Sequence, residues 1–519
     1  MFELSYFLRR SATMFPERLA LVFDDKELTY KELNEMANML ANGLISRGIK
    51  KGDVVGYMFC NSIETVVCFH AITKLGAVAL PINTLIYSEE LTYTLNKADA
   101  KVLIYHEEFD DKIQEAKSRF DREFIWIRKG LEPDKTISEY DDILASGSSD
   151  EVVVDLDWFD PCYTMFTSGT TGKPKAVQKT SLMVRDYALQ MTACNENIYS
   201  PEVILTHCPL FHLGGFRNII KAVAISATLV VLSNMCPQRI LEMIERYHVT
   251  QTYFIPPILY LRLRQVENWQ KYDLSSVRQA QSSGGKMTLD YAQAIFELFP
   301  NCLINVAYGS TETACPIGCL LDRDEIKQNP ERFQSIGLVH PLYEARILDA
   351  KGNEITETDE VGELVVKSTT IADKYLNDEE LSKTSFVDGW FYTEDMVRRS
   401  KDGFFYLTDR KRDMVKTGGE NVYAQEVEGV LLDYPTVEDC AVIGVPDERF
   451  GEGIAAAVVL KSGYSLDTDD LIRYCKQNMP SFKKPRYITV MDELPRNSVN
   501  KIQKQILRDK HEGLFKRIP

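Results

Sequence analysis

Apolar and polar positions over the first hundred residues switch repeatedly between two periods. Leu19-Ala-Leu-Val-Phe23 is an apolar run of strand length, turned by Asp24-Asp25. Leu28-Thr-Tyr30 leads into residues 31–47, where Leu33, Met36, Leu40, Leu44 and Ile45 share one helical face and Gly48 caps the end. Residues 54–59 predict a buried strand and residues 63–75 a helix. Ala77–Leu80 predicts a strand stopped by Pro81, residues 89–96 a helix, and Val102–Tyr105 a fourth strand. The pattern returns later as strand Thr228–Leu232, helix Pro237–Tyr247 and strand Gln251–Ile255, closed by Pro256-Pro257. Strands alternating with helices in this way predict an α/β fold with a largely parallel sheet. Residues 106–155 are acidic and weakly patterned and read as a variable surface region. Residues 336–408 are rich in turns and β-formers. Beyond them, helix Ala424–Tyr434, strands Asp439–Val445 and Ile454–Leu460 and helix Thr468–Gln477 predict a small α+β domain.

Length sharpens this picture: 519 residues exceed one ordinary core, so two to four subdomains are expected. No apolar run reaches the roughly 18–20 residues that cross a bilayer. The basic pair Arg9-Arg10 follows the first apolar residues, the wrong order for a secretory signal. No stable membrane insertion and a cytoplasmic location are therefore expected. The eleven cysteines are scattered, without CxxC pairs or metal-type spacing, and read as reduced, mostly core thiols. Net charge is −16. That excess of acid argues against nucleic acid as a partner of the whole surface. An anionic small substrate must then meet local basic clusters, of which Lys173/Lys175/Lys179, Arg410/Lys411/Arg412 and Lys483/Lys484/Arg486 are visible.

Five stretches carry candidate chemistry. The first is Thr167-Ser168-Gly169-Thr170-Thr171-Gly172-Lys173-Pro174-Lys175, which follows a β-favouring run. Its glycines let backbone N–H groups turn inward, and its hydroxyls and lysines add donors and charge, a composition that suits a phosphate. It is not a P-loop, because Gly169 and Gly172 are only three apart and Pro174 prevents a helix from starting at the lysine; read alone, it equally fits a surface turn. The second is Pro209-Leu-Phe-His212-x-x-Gly215, where His212 is either a core or capping histidine or a site residue. The third is Ser282-Ser283-Gly284-Gly285-Lys286, a weak signal by itself. The fourth is Tyr308-Gly309-Ser310-Thr311-Glu312. It offers a flat ring for a base, a close-approaching backbone, a hydroxyl for phosphate and a carboxylate for Mg²⁺, or else is an exposed turn. The fifth is Pro495-Arg496-Asn497-Ser498-Val499-Asn500-Lys501, whose lysine would ordinarily be a surface residue.

Taken in this order, with Tyr392-Thr393-Glu394-Asp395, Asp409-Arg410-Lys411-Arg412-Asp413 and Gly418-Gly419-Glu420, the motifs resemble those of the acyl-adenylate-forming superfamily across residues 10–510. The likeness is to AMP-dependent acyl-CoA synthetases, with a C-terminal half similar to crotonobetaine/carnitine–CoA ligases. It implies a large N-terminal domain, residues 1–410, of α/β sheets plus a β-barrel-like subdomain, and a small mobile α+β domain, residues 411–519. It further implies that ATP or AMP is held by Thr167, Ser168, Gly169, Thr170, Thr171, Gly172, Lys175, Gly285, Tyr308, Gly309, Thr311, Asp395, Arg410 and Lys501. Lys501, Glu312, Thr167 and His212 would be catalytic, with Glu312 as the Mg²⁺ ligand. His212, Phe254, Ser283, Gly284 and Cys315 would line the acyl pocket; no basic partner for the Cys315 thiol is visible nearby in sequence. Arg412 would be the hinge, and Gly418, Gly419 and Lys483 would meet coenzyme A. Arg217 could pair with a second carboxylate, but reads more readily as a surface or helix-capping residue.

The resemblance implies ATP-dependent conversion of a carboxylic acid to acyl-AMP, then to a CoA thioester. Two alternatives stay open: loading of a separate carrier protein, and a nucleotide-binding protein with impaired catalysis. The departures Ala176, Glu394 and Asn500 motivate the last. Glu394 replaces a glycine and is expected to alter the nearby backbone; Asn500 replaces another but tolerates left-handed angles. The sequence leaves a homodimer open.

Overall fold

The computed structural model describes residues 4–517 apart from 121, 131–137, 168–173, 194–200, 256, 284–286, 412, 419 and 497–501. The chain divides into two compact units, Met1–Glu344 with Val366–Phe391, and Ala345–Val365 with Tyr392–Pro519.

The first unit holds two sheets. In the larger, six parallel strands run in the order Leu303–Tyr308, Gln279–Ser282, Gln251–Tyr253, Val203–Thr206, Thr228–Val231 and Leu19–Phe23. Antiparallel strands extend both edges: Ile317–Leu321 and Leu338–Val339 at one, Lys26–Thr29 at the other. The smaller sheet runs Ile125–Lys129, Ala100–His106, Val54–Met58, Val78–Pro81 and Pro161–Thr167, all parallel, and ends on the antiparallel Lys175–Thr180. The expected α/β alternation is therefore present, with boundaries within a few residues of those read from the sequence.

Local chemistry explains why these elements form. Helix Tyr30–Ser46 starts at Thr29, whose hydroxyl accepts from the Glu32 N–H while the Glu32 carboxylate accepts from the Thr29 N–H. This reciprocal cap satisfies two orphan donors. Gly48, just past the helix, has φ +85°, the backbone a glycine takes most readily. Helix Ile63–Lys74 is buried all round from Thr65 onward, as a helix between layers must be. Phe216 packs edge-on against both Phe69 (4.6 Å) and Tyr163 (4.8 Å). That contact ties this helix, helix Leu213–Ile225 and strand Pro161–Thr167 into one core.

Residues 106–155 are not merely surface. They contribute helix Asp110–Lys117, the edge strand Ile125–Lys129 and helix Glu139–Ser146. The last buries Ile143 against helix Tyr30–Ser46, where a Cβ on Gly43 would stand 2.6 Å from it, and Tyr140 beside Phe59. Its signal was hidden because only two residues of that helix are buried.

A five-stranded sheet spans the turn-rich region: Glu344–Leu348, Gly362–Lys367, Trp390–Arg399 and Phe386–Val387 in order, with Phe405–Arg410 on Trp390–Arg399. It is the half-barrel of the fold. The second unit carries a mixed sheet built on the long hairpin Val437–Asp447 and Gly451–Leu460. Successive side chains alternate between its faces. Cys440, Val442, Ala456 and Val458 meet helices Ala424–Leu432 and Thr468–Asn478, while Ala441, Ile443, Ala455 and Ala457 meet Leu494 and Leu507. Among the described residues, no helix is long and apolar enough to cross a membrane.

Candidate active site

In an open parallel sheet, ligands bind beyond the carboxyl ends of the strands. The motifs of the first unit fall there. His207 to His212 follow strand Val203–Thr206, Phe254 follows Gln251–Tyr253, Ser283 follows Gln279–Ser282, and Gly309 to Glu312 follow Leu303–Tyr308. Neighbouring registers, Tyr253 beside Thr206 and Gln281 beside Asn305, bring these ends to one edge.

Thr167 ends its strand paired with Lys175, so the glycine-rich stretch connects two adjacent antiparallel strands. Ser168, Gly169, Thr170, Thr171 and Gly172 lie outside the described residues, as do Gly284 and Gly285. The Lys175 ammonium stands 5.1 Å from the centre of the Tyr375 ring. The Tyr375 hydroxyl donates to Glu312 Oε1 at 2.9 Å. One tyrosine thus joins the candidate phosphate lysine to the candidate metal ligand. Glu312 is 8% exposed, within a turn closed by Ser310 and Thr313. A Cβ on Gly309 would lie 1.9 Å from the Ala314 carbonyl, so this turn requires glycine. Tyr308 and Thr311 are half-buried beside it.

Two residues here escaped the sequence reading. Tyr375 was one. The other is Lys179, counted only as part of a basic cluster. Its side chain is fully buried (the residue is 2% exposed), and its ammonium donates to the carbonyls of Glu312 (2.6 Å) and Thr370 (2.8 Å). It pins the backbone of the Glu312 turn. Burial lowers its pKa from 10.5 to about 7, against the opposing pull of Glu312 and Asp373. Between those two values the unfolded chain binds a proton that the folded chain does not. Lys179 therefore makes stability rise with pH from about 7 toward 10. Lys179→Met removes that contribution. The wild type should gain up to about 1.4 kcal/mol per pH unit relative to the variant across the window. Tm measured for both at pH 7, 8 and 9 checks this, and identical trends would contradict it.

His212 caps helix Leu213–Ile225, but its side chain makes no cap hydrogen bond, and its Nε2 is buried without a partner. Burial lowers its pKa to about 4, so it is neutral at pH 7. Phe254 is wholly buried against His207 and Tyr260. Cys315 is buried too, and its carbonyl accepts from Gln190 Nε2 at 2.9 Å. A basic group does stand beside the Cys315 thiol: the guanidinium of Arg217. Arg217 is half-buried rather than a fully exposed surface residue, and it is not a cap. It points inward from the fifth position of its helix, with Nε buried.

In the second unit, Asp395 and Arg410 sit opposite one another on adjacent antiparallel strands. Arg410 Nε lies 3.0 Å from Asp395 Oδ1, and Asp395 is 5% exposed. Asp409, next to Arg410, has its pKa raised to about 6 by burial. Glu394 has φ +59°. The substitution has not remade this backbone; the residue holds the left-handed conformation that a glycine accepts freely. For a side chain with a Cβ that costs about 1–2 kcal/mol, against about 0.4–1 kcal/mol of unfolded-state entropy that a glycine adds. Glu394 is exposed. Glu394→Gly should accordingly stabilise the chain by about 0.5–1 kcal/mol in chemical denaturation; a loss of stability would contradict the strain.

Gly418 follows strand Val415–Thr417 with φ +61°, its N–H donating to the Phe450 carbonyl. Lys483 pairs with Glu426 at 2.6 Å. Arg412, Gly419 and Lys501 lie outside the described residues; Arg496 and Ile502, flanking Lys501, pair in an antiparallel bridge.

The family model described as AMP-binding enzyme matches residues 8–376, and the AMP-binding enzyme C-terminal domain matches residues 426–501. The chain is 30% identical to the long-chain-fatty-acid–CoA ligase FadD13 of Mycobacterium tuberculosis, over 98% of this chain and 99% of that protein. It is 31% identical to a crotonobetaine/carnitine–CoA ligase of Escherichia coli, over 92% and 93%. Among solved structures, the o-succinylbenzoate CoA synthetase of Bacillus subtilis, in complex with its acyl-adenylate intermediate, superposes with a TM-score of 0.85. That match has 28% identity and covers 97% of this chain and 98% of the other; the same enzyme has also been solved with ATP and magnesium ion. The chain belongs to the AMP-binding enzyme family.

Proposed function

We propose that this chain joins a carboxylic acid to coenzyme A in two steps, through an acyl-adenylate, at the expense of ATP. It is an AMP-forming acid–thiol ligase. The observation that carries the reading is the Lys175–Tyr375–Glu312 connection. Through it, a cation from the glycine-rich hairpin and a carboxylate from the Tyr308–Glu312 turn meet at the carboxyl edge of a parallel sheet.

A carboxylate is a poor electrophile, and it repels ATP. The chain must hold the two anions together and neutralise the charge that develops at the α-phosphorus. Thr167 to Lys175 would cradle the phosphates that leave as pyrophosphate. Tyr308 would stack on adenine, Gly285 and Gly309 would let backbone approach the nucleotide, and Thr311 would donate to a phosphate. Asp395 and Arg410 would take the ribose hydroxyls. Lys501 would bridge the carboxylate and the α-phosphate. Glu312 would hold Mg²⁺, whose charge aids departure of pyrophosphate. Among the described residues no group of three or more His, Cys, Asp and Glu side chains is placed to hold a metal ion by itself. A single carboxylate suits an ion that fills its remaining positions with phosphate oxygens and water.

Neutral His212, with Phe254, Ser283, Gly284 and Cys315, would line the acyl pocket. In the second step, residues 411–519 would turn about Arg412 as a mobile domain on residues 1–410. Lys501 would leave and Gly418, Gly419 and Lys483 would arrive to guide the CoA thiol, a hinge motion of familiar kind. We place the enzyme in the cytoplasm, with small-molecule partners and no nucleic acid, and a homodimer is compatible with this reading. The test is to supply an accepted acid with ATP and CoA and follow thioester and AMP together. Stoichiometric acyl-CoA supports the reading; acyl-AMP that accumulates and passes only to a carrier protein overturns the CoA step.

A further inference from the structure

The Arg217 guanidinium is permanently charged and cannot shed that charge by losing a proton, as a buried lysine can. Its Nε is buried with no hydrogen-bond partner, and among the described residues no carboxylate pairs with it. What surrounds it is aromatic and neutral. The Tyr253 ring centre lies 5.0 Å away and that of Tyr187 5.9 Å. The Cys315 thiol lies beside the guanidinium and donates to the Ile317 carbonyl at 3.7 Å, and burial and the arginine's own charge lower the pKa of His340. Cation–π contacts recover only part of the hydration that such a group gives up. Two other buried polar atoms of this cluster also lack partners, Tyr187 Oη and Gln190 Oε1. The cluster is continuous with the acyl site, because Gln190 and Arg217 both engage Cys315, three residues beyond Glu312.

A cation installed without a counter-charge, beside the unpaired Tyr187 hydroxyl and at the acyl end of the site, is arranged for an anion that comes and goes. We propose that Arg217 binds a second carboxylate carried by the substrate, remote from the carboxyl that is adenylated, so that the preferred acids are dicarboxylic. The planar guanidinium fork matches a carboxylate, and the tyrosine hydroxyl and Cys315 complete a setting with no competing acid. This rests on the acid-activating reading above and names its substrate class.

The test compares kcat/KM, by pyrophosphate release, for straight-chain and aromatic diacids, their monomethyl esters and monoacids of equal length. The wild type should prefer a diacid over its monomethyl ester by about 100-fold or more, the scale of losing a buried charge pair. Arg217→Lys should keep part of that ratio, and Arg217→Met should bring it close to one. Turnover of monoacids or monoesters as efficient as of every diacid in the wild type overturns the proposal and needs no variant. A ratio unchanged in a folded Arg217→Met protein overturns it as well. Silence toward every acid would overturn the acid-activating reading along with it, so the two failures are distinguishable.

Discussion

Lys501→Ala is expected to slow acyl-adenylate formation by about 10²–10³-fold, the usual consequence of removing one preorganised donor from a transition state. Thioester formation from acyl-AMP supplied ready-made should stay within a few-fold of wild type, because in the proposed second step the lysine has left. This split between half-reactions separates a catalytic lysine from a structural one. Equal damage to both steps would contradict the role.

Glu312→Gln is expected to lower kcat/KM for ATP by about 10²-fold and to raise the Mg²⁺ concentration needed for half-maximal rate. The amide keeps the size and the acceptor that Tyr375 uses, and Lys179 holds the main chain of the same residue rather than its side chain. The fold should therefore survive, with Tm nearly unchanged. What is lost is the charge. A magnesium titration of both proteins under saturating acid checks the claim. An unchanged magnesium requirement would show that Glu312 is a buried structural acid, tied to Tyr375 and nothing more.

Much of the fold was legible because its signals are local. Apolar runs such as Leu19–Phe23 and the helix face Leu33–Leu44 declare themselves over a few residues, and the helix Pro237–Tyr247 appears with the bounds read from its periodicity. Helix Glu139–Ser146 did not declare itself, since its worth lies in the fit of Ile143 against Gly43, a contact across a hundred residues. The site shows the same division. Glycine-rich turns and the carboxylates Glu312 and Asp395 stand out by type and order. Tyr375 and Lys179 are ordinary residues in sequence, made important by a hydroxyl and an ammonium that meet Glu312 only after folding. Arg217 was visible but misjudged: a guanidinium on a helix is usually solvated, and only the packing of Tyr187, Tyr253 and Cys315 around it shows otherwise. Glu394 is the converse case, a visible departure whose backbone stayed where a glycine would put it.

The central claim is that this chain activates a carboxylic acid by adenylation. Pyrophosphate release by the purified protein, with ATP and Mg²⁺, across a panel of mono- and dicarboxylic acids and without CoA tests it most directly. The account predicts release that depends strictly on an added acid, matched mole for mole by enzyme-bound acyl-AMP. Pyrophosphate release with no acid dependence, or none with any acid from a folded, ATP-binding protein, would contradict it.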